Sequence, residues 1–320
     1  MSATSTPQGL ALRISVTDRC QLRCRYCMPP EGVHRKDRSE ILSYEEITAL
    51  VVWLRDEFGL SKVRITGGEP LVRPNVERLI GLLAERGIPD LAMTTNGLRL
   101  AQMAPVLKRA GLTRVNVSLD SLSSEVFHRL TGGDVQDVLS GIAAALEHGM
   151  QPVKLNTVVI RGVNDAELRD LVAFAIREGC EIRFIELMPI GPGAALFAEG
   201  FLSSAAVLEA LSGHFTIEPA RPAFEGSARR YQATDTAGRR GTVGFISSCS
   251  APFCAGCNRL RITADGRLLG CLARDGGISV RELLRAGERD AVCRVARDML
   301  LGKTANRVFE QPAAMSSIGG

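Results

Sequence analysis

Three cysteines lie close together directly after a strand-like segment at residues 11–17: Cys20, Cys24 and Cys27. The spacing C-x3-C-x2-C offers three thiolates, one fewer than the four that usually hold a 4Fe-4S cluster, so one iron would stay open to a ligand that is not protein. A zinc site needs a fourth ligand, and only His34 is near. Disulfides are typical of small secreted chains, whereas this chain has nine cysteines, an odd number, in 320 residues. The spacing therefore favours an iron-sulfur cluster over zinc, and zinc over disulfides.

The composition is typical of a soluble enzyme with a large core. Hydrophobic residues make up 45% and charged residues 23% of the sequence, and no long uncharged apolar segment could span a membrane. The net charge of +4 is small for this length, so it indicates a small anionic ligand rather than a nucleic acid, which usually needs a concentrated basic stripe. Cysteines stay reduced in the cytoplasm, so the sequence predicts a cytoplasmic location.

A second cysteine set lies near the other end of the sequence: Cys254, Cys257 and Cys271. Asp265-Gly266 separates two β-like segments between Cys257 and Cys271, which predicts a hairpin with a two-residue loop. Such a loop would place Cys271 opposite Leu260 and return the third sulfur toward the first two. From spacing alone, zinc and an iron-sulfur cluster fit equally well, since Cys249 could supply a fourth zinc ligand.

Two arginines follow this second set in the segment Asn258-Arg259-Leu260-Arg261. Alternation along a strand places Arg259 and Arg261 on the same side. Guanidinium groups match the geometry of phosphate oxygens, although paired arginines on a surface hairpin are most often simply solvated. The arginine pair therefore gains meaning only from its position beside the cysteines.

Short β-like segments alternate with helical ones along the first part of the chain. The predicted strands span residues 11–17, 62–67, 90–96, 114–120, 152–160 and 181–188, and the predicted helices span 43–58, 74–86, 135–148, 165–178 and 203–212. Ser43 and Glu46 form a capping box at the start of the first helix. Six βα units predict an α/β fold with a parallel sheet, either doubly wound or curled into part of a barrel.

Polar side chains share one face of five predicted strands. Because residues alternate faces along a strand, this set would lie on one side of the sheet. A closed eight-stranded barrel fills its interior with apolar side chains, and a doubly wound sheet buries both faces. The pattern therefore predicts an incomplete (βα)6 TIM-like barrel whose lumen holds a polar, anionic ligand. The set comprises Arg13, Ser15, Thr17, Lys62, Arg64, Thr66, Thr94, Asn96, Asn116, Ser118, Asp120, Lys154 and Asn156.

The turn Gly67-Gly68-Glu69-Pro70 closes the second predicted strand. Adjacent glycines there let a ligand approach the backbone. Together with C-x3-C-x2-C after the first strand, and with Tyr26 before the third cysteine, this turn resembles the radical S-adenosylmethionine superfamily. The resemblance implies an open iron that binds S-adenosylmethionine, whose reductive cleavage gives a 5'-deoxyadenosyl radical.

The segment Cys-Asn-Arg-Leu-Arg at the second cysteine set and the final Ser317-Ile318-Gly319-Gly320 resemble the GTP 3',8-cyclase family of molybdenum cofactor biosynthesis over essentially the whole chain. The resemblance implies two 4Fe-4S clusters and S-adenosylmethionine as cofactors. It also implies removal of the ribose 3' hydrogen of GTP, a bond from C3' to guanine C8, and the product 3',8-cyclo-7,8-dihydro-GTP. The chain has no G-x4-G-K-[ST] loop for phosphates, so basic side chains would have to bind them.

The resemblance also implies roles for individual residues. Cys20, Cys24 and Cys27 would bind the cluster that cleaves S-adenosylmethionine, and Cys254, Cys257 and Cys271 the second cluster. The implied S-adenosylmethionine contacts are Tyr26, Gly68, Ser118 and Met188. The implied GTP contacts are Arg13, Arg64, Thr94, Lys154, Arg259 and Arg261, with Lys62 and Arg183 as further basic positions. Catalytic roles would belong to Arg13, Arg259, Arg261, Gly319 and Gly320.

Two regions are predicted, a partial barrel at residues 1–200 and, at 201–320, a carboxyl-terminal region that carries the second cluster and covers the barrel mouth. The resemblance implies GTP, a second copy in a homodimer, a reductase and the next pathway enzyme as partners. Two alternatives remain: a peptide-modifying radical enzyme with an auxiliary cluster, and a non-enzymatic iron-sulfur or zinc sensor. Binding of GTP would exclude the first, and cleavage of S-adenosylmethionine the second.

Overall fold

Six parallel strands form the centre of the protein in the computed structural model, which describes residues 9–303 and 309–319 of the chain. Each strand pairs with the next along the sequence. Five begin at the predicted residue, and all six end one or two residues before the predicted end. They are β1 (Ala11–Ser15), β2 (Lys62–Thr66), β3 (Asp90–Thr95), β4 (Arg114–Ser118), β5 (Lys154–Val159) and β6 (Glu181–Glu186).

Helices connect these strands and follow them to the end of the chain. They are α1 (Tyr44–Phe58), α2 (Val76–Glu85), α3 (Leu100–Arg109), α4 (Ser124–Thr131), α5 (Val135–Glu147), α6 (Leu168–Glu178), α7 (Gly193–Gly200), α8 (Ser204–Ser212), α9 (Arg281–Arg285), α10 (Arg289–Leu301) and α11 (Met315–Ile318). No single helix among the described residues has the length and apolar composition to cross a membrane; α7 and α8, bent by 49°, meet that test only as a pair.

The start of α1 has the predicted capping box. The N–H of Glu46 donates to Ser43 Oγ at 3.1 Å, and the N–H of Ser43 donates to Glu46 Oε2 at 2.6 Å. At the other end, Gly59 adopts φ +64°, a left-handed conformation that favours glycine, and donates its N–H to the carbonyl of Arg55. The sequence therefore sets both ends of this helix locally.

The carboxyl-terminal region extends the sheet on both sides. β9 pairs with β6 in parallel and β10 pairs with β1 in parallel, so the order is β12-β11-β10-β1-β2-β3-β4-β5-β6-β9-β8-β7. The barrel is not closed, since β12 and β7 are its two edges within the described residues. The added strands are β7 (Thr216–Glu225), β8 (Ala228–Thr234), β9 (Arg240–Ile246), β10 (Arg259–Ile262), β11 (Arg267–Leu269) and β12 (Ile278–Ser279).

The hairpin between β10 and β11 differs from its predicted register by one residue. Arg261 pairs with Leu269, and the N–H of Thr263 donates to the carbonyl of Arg267 at 2.9 Å. The loop therefore has three residues, the last of which, Gly266, adopts φ +82° as expected of a three-residue hairpin loop. Continued in this register, Cys271 falls opposite Arg259 rather than Leu260, so the two-residue loop was wrong.

The central strands separate an apolar side from a polar side. On β4, Val115 and Val117 are fully buried in the main core, whereas Asn116 and Ser118 line the lumen. Burial of each such valine contributes about 1.5–3 kcal/mol, which fixes which face of the strand turns toward the helices. The polar face then turns inward by default. The predicted α/β incomplete barrel is thus confirmed.

Glu186, the last residue of β6, joins three separate segments. Its buried carboxylate accepts hydrogen bonds from the N–H of Ser204 at 2.8 Å and from the N–H groups of Cys249 and Ser250 at 2.8 and 2.9 Å. The Ser250 hydroxyl donates to it as well. Burial raises the pKa of Glu186, but these hydrogen bonds outweigh burial and lower it below its ordinary value of 4.5.

Replacing Glu186 with glutamine is expected to lower the free energy of unfolding by about 2–4 kcal/mol at pH 7, because an amide NH2 would face N–H donors. Since the folded pKa is depressed, the contribution of the carboxylate is complete above pH 4.5 and is lost as the pH falls through the folded pKa. Urea unfolding at several pH values measures this difference. Glu209→Gln, at an exposed position of α8, is the matched control. Equal stability of E186Q and wild type at pH 7 would contradict this role.

Candidate active site

Nearly all predicted site residues line one cavity of about 1030 Å³ inside the described part of the chain. The exceptions are Lys154 and Gly319, which do not line it, and Gly320, which lies outside the described residues. Drug-sized ligands usually occupy pockets of about 300–1,000 Å³. The cavity therefore has room for more than one small ligand.

The first cysteine set lies in the loop after β1, at the carboxyl ends of the strands. The loop turns sharply, since the N–H of Cys27 donates to the carbonyl of Cys24 at 2.8 Å. Two further N–H groups of the loop, from Arg23 and Arg25, donate to carbonyls of Thr131 and Leu130 at the end of α4. The loop is thereby held in place by its own backbone and by a neighbouring helix.

Electrostatics around these thiols disfavour three bare thiolates. Burial raises the pKa of all three, and for Cys27 the pKa reaches about 12, with the neighbouring Cys20 adding to the shift. For Cys24, burial acts first, followed by Cys27 and then Asp120. Asn96 Nδ2 donates to Cys20 Sγ at 3.8 Å. Three thiolates so close together require a positively charged group between them, and iron supplies such a charge.

Tyr26 is fixed inside the cysteine loop by Asp120. Its hydroxyl donates to Asp120 Oδ2 at 2.7 Å, and the N–H of Val158 donates to Asp120 Oδ1 at 2.8 Å. Burial raises the pKa of Asp120 to about 6 and the pKa of Tyr26 well above its ordinary value. Tyr26 is therefore a neutral donor that ties the loop to β4 and β5.

The glycine turn after β2 packs directly on the start of the cysteine loop. A Cβ on Gly68 would lie 2.5 Å from the carbonyl oxygen of Arg19, so only glycine fits. The N–H of Gly68 donates to the carbonyl of Thr17, and the N–H of Glu69 to the carbonyl of Arg19, both at 2.7 Å. Glycine is thus needed at position 68 because two backbone segments approach each other there.

The second cysteine set lies across the same cavity. Cys254 begins a 3-10 turn that ends before Cys257, and Cys271 follows β11. Lys303 Nζ donates to Cys257 Sγ at 3.4 Å. Burial raises the pKa of Cys257, but Arg259 and Lys303 outweigh it and lower the pKa below the ordinary value. This thiol therefore loses its proton more easily than an ordinary cysteine, which suits a metal ligand.

Three arginines lie side by side between the two cysteine sets. Strand register places Arg261 next to Arg13, and Arg13 next to Arg64. Burial lowers the pKa of each, helped by the neighbouring guanidinium groups, to about 9 for Arg64 and about 10 for Arg261. Arg64 Nη1 is buried without a hydrogen-bond partner. Such a row of cations requires an anionic ligand.

Lys154 is separated from this cavity, contrary to its predicted place in the lumen. It is fully buried at the start of β5, and its Nζ lies 2.5 Å from Glu225 Oε1. It lines a second cavity of about 580 Å³ at the amino ends of the strands, which shares Arg114 and Glu225 with the main one. The alternation of faces was read correctly, but an acidic side chain lies between Lys154 and the lumen.

The tail of the chain reaches the arginine row. Arg261 Nη1 donates to the carbonyl of Gly319 at 2.7 Å. A Cβ on Gly319, at φ +73°, would lie 3.0 Å from Ser15 Cβ and from Thr66 Oγ1. The backbone of Ser316 also donates to the Cys27 thiol. Gly319 therefore lies beside β1 and β2 without lining the cavity.

Two family models match this chain. The radical SAM superfamily matches residues 14–175, and the family described as Molybdenum Cofactor Synthesis C matches residues 180–309. The first match covers β2 to β5 and the first cysteine set, and the second covers β6 and the region with the second set.

Curated relatives match over nearly the whole chain. GTP 3',8-cyclase of Moorella thermoacetica is 44% identical over 317 residues, and that of Pelotomaculum thermopropionicum is 45% identical over 318 residues; each match covers 97% of both chains. GTP 3',8-cyclase of Petrotoga mobilis is 46% identical over 85% of this chain and 83% of its own. The chain belongs to the GTP 3',8-cyclase family.

Solved structures show the same fold at low identity. SuiB of Streptococcus suis bound to S-adenosylmethionine has a TM-score of 0.61 at 17% identity, over 88% of this chain and 66% of its own. Coproporphyrinogen III oxidase of Escherichia coli has a TM-score of 0.51 at 14% identity, over 77% of this chain and 64% of its own. Both likenesses concern the fold alone.

Family membership confirms two 4Fe-4S clusters and S-adenosylmethionine as the cofactors. The structure fits these groups, because two sets of three soft thiol donors face one cavity beside a row of cations. This fit is to clusters and not to a single metal ion. Within residues 9–303 and 309–319, no group of three or more His, Cys, Asp or Glu side chains has the geometry to hold one metal ion.

Glu69, Glu225 and Lys303 are among the residues of the site that were missed from the sequence. The buried carboxylate of Glu69 accepts from the N–H of Asn96 and the hydroxyl of Thr95, both at 2.7 Å, and could have been found in the Gly-Gly-Glu-Pro turn. Glu225 and Lys303 lie in segments without a motif, so only the fold brings them to the site.

Proposed function

We propose that this protein converts GTP into 3',8-cyclo-7,8-dihydro-GTP, the first step of molybdenum cofactor biosynthesis. The observation that carries this proposal is the single cavity, which both cysteine sets line and in which a row of arginines lies between them. The triphosphate of GTP would contact the arginines, and its ribose and guanine would occupy the space between the cysteine sets.

The cysteines would divide the two clusters between them. We propose Cys20, Cys24 and Cys27 as ligands of one cluster and Cys254, Cys257 and Cys271 as ligands of the other. When bound, the clusters and S-adenosylmethionine supply the radical that removes the ribose 3' hydrogen and the site that receives guanine. Tyr26, Gly68, Ser118 and Met188 are the proposed S-adenosylmethionine contacts, and all four line the cavity beside the first set.

The chain's own contribution to the reaction is binding and orientation. Arg13, Arg64 and Arg261 neutralise the triphosphate, and Thr94 lines the same cavity. Arg259 stacks 4.6 Å from the ring centroid of Phe253, which fixes its guanidinium at the second cysteine set. Fixed cations of this kind stabilise a charged substrate without reorganising during the reaction.

The tail glycines have a proposed role in shaping this pocket. Gly319 holds Arg261 through its carbonyl, so the tail sets the position of one arginine in the row. Gly320 shares this proposed role from the sequence resemblance, although it lies outside the described residues.

The remaining partners are proposed from the chemistry of the reaction. Cleavage of S-adenosylmethionine needs a reductase to supply electrons, and the cyclised product needs a following enzyme to consume it. A homodimer and a cytoplasmic location are also proposed, the latter because none of the nine cysteines, which all lie in the described residues, forms a disulfide. The division at residue 200 likewise stays a prediction.

An anaerobic assay of the reconstituted protein with reductant, S-adenosylmethionine and GTP tests the function. We expect GTP-dependent 5'-deoxyadenosine and a cyclised nucleotide, both followed by mass spectrometry. Deoxyadenosine that forms equally without GTP would contradict the substrate. No deoxyadenosine from protein with both clusters would contradict the enzyme assignment.

A further inference from the structure

The amino ends of the central strands carry a dense cluster of charges. Lys154 and Arg183 lie almost fully buried there, with 1% and 8% of their side chains exposed. Both contact Glu181, at 3.6 Å from Lys154 Nζ and 2.5 Å from Arg183 Nε. These three side chains belong to neighbouring central strands, so they have fixed positions.

Glu225 reaches this cluster from a different part of the fold. It is the last residue of β7, which is an edge strand, and it forms the tip of the β7–β8 hairpin opposite Ala228. Its carboxylate lies 2.5 Å from Lys154 Nζ, 3.2 Å from Arg183 Nη2 and 3.6 Å from Arg114 Nη1. Its side chain is 33% exposed, more than those of Lys154, Arg183 and Arg114, which are 1%, 8% and 13% exposed.

Glu225 also separates two cavities. The main cavity contains the arginine row and extends to Arg114 and Arg183, while Lys154 lines only the second cavity. Glu225 lines both, since it lies between them. The cations continue across this boundary, because Arg183, which lines the main cavity, helps to lower the pKa of Lys154 in the second one, after burial itself.

A nucleotide in the arginine row would therefore meet Glu225 at the end of its phosphate chain. A terminal phosphate on Arg114 and Arg183 would share both cations with this carboxylate, and two anions in one low-dielectric site repel each other. The central strands cannot move aside, whereas the exposed tip of an edge hairpin can.

We propose that Glu225 is a specificity-determining residue that acts as a displaceable counter-ion. It occupies Lys154 and Arg183 in the substrate-free protein, and the terminal phosphate of a nucleoside triphosphate takes its place. This inference rests on the proposed function. Only a nucleoside triphosphate is long enough to reach this charged cluster. Only a triphosphate must therefore displace Glu225, and only its terminal phosphate forms an ion pair with Lys154.

Glu225→Gln tests the proposal by calorimetric titration of the reconstituted protein with GTP and with GDP. Removing the competing charge is expected to lower the dissociation constant of GTP about tenfold, and that of GDP by less than about threefold. Glu218→Gln, at an exposed position of the same strand, is the matched control and is expected to bind both nucleotides like wild type. Glu225→Asp keeps the charge and is expected to stay within about threefold of wild type for GTP.

Glu225→Ser provides a second neutral variant if E225Q does not fold. Weaker or unchanged GTP binding in the neutral variant would overturn the proposal, because Glu225 would then only hold the cations in position. An equal gain for GDP and GTP would overturn it too, since the effect would not depend on the terminal phosphate. If the wild-type protein does not bind GTP, both this inference and the proposed function fail. If the wild-type protein binds GTP and E225Q binds it no more tightly, only this inference fails.

Discussion

Cys24→Ser is expected to lower the iron content of the reconstituted protein from about eight to about four atoms per chain. Cleavage of S-adenosylmethionine should be lost at the same time. Cys24 is the middle ligand of the first set, its backbone carbonyl forms the turn to Cys27, and its thiol lies among two others. A serine hydroxyl does not replace a thiolate as an iron ligand.

Iron analysis together with quantification of 5'-deoxyadenosine measures both effects. Cys293→Ser, a buried thiol in α10 that is 4% exposed, is the control and should keep its iron and its activity. Full iron content and cleavage in C24S would show that Cys24 is not a ligand. Equal iron loss in C293S would instead indicate a general effect of cysteine replacement on folding.

Arg64→Met should change binding and stability in opposite directions. The variant removes one member of the arginine row, so the affinity for GTP should fall about tenfold to a hundredfold. It also removes a buried Nη1 without a hydrogen-bond partner and relieves repulsion from Arg13. The free energy of unfolding should therefore rise by about 1–2 kcal/mol, since an apolar side chain replaces a charge for which burial and neighbouring arginines outweigh the attraction of Asp90.

Calorimetric titration and urea unfolding of the same preparations measure the two effects. Arg78→Met is the control, because Arg78 is 65% exposed on α2 and pairs only with Glu45 among the contacts described for it. Neither affinity nor stability should change there by more than about 0.5 kcal/mol. A destabilised R64M would contradict this account, since Arg64 would then stabilise the fold instead of lowering its stability in order to bind an anion.

The parallel half of the fold is readable from the sequence because its signals are local. Period-two alternation marks β2 and β4, and the Ser43 capping box marks the start of α1. Each of these depends on residues a few positions apart. The same holds for the first cysteine set, whose three thiols lie in one loop.

The edges of the sheet were not predictable in the same way. β7 is exposed along most of its length and contains two prolines, so it has no alternation of buried and exposed residues. The loop of the β10–β11 hairpin also depends on tertiary packing, since a Cβ on Gly266 would lie 2.9 Å from Arg281 Cβ. Asp-Gly predicts a hairpin but leaves two and three loop residues close in energy.

The sequence predicted which residues line the site better than it predicted which of them contact each other. Alternation placed Arg13 and Arg64 in the lumen, and register confirms that they are neighbours. No pattern could show that Glu225 caps Lys154, because 71 residues separate them along the chain. Long-range pairs between charged groups leave no period in a sequence, so only the folded chain reveals them.

The pairing of β1 with β10 has a consequence for synthesis of the chain. Arg259, the partner of Ala11, is synthesised about 250 residues after it. At about 5–20 residues per second, one edge of β1 stays open on the ribosome for roughly 12–50 s. An open strand edge is a template for pairing with other chains. Until β10 has been synthesised, the nascent chain can therefore aggregate at the strand that precedes its first cysteine loop.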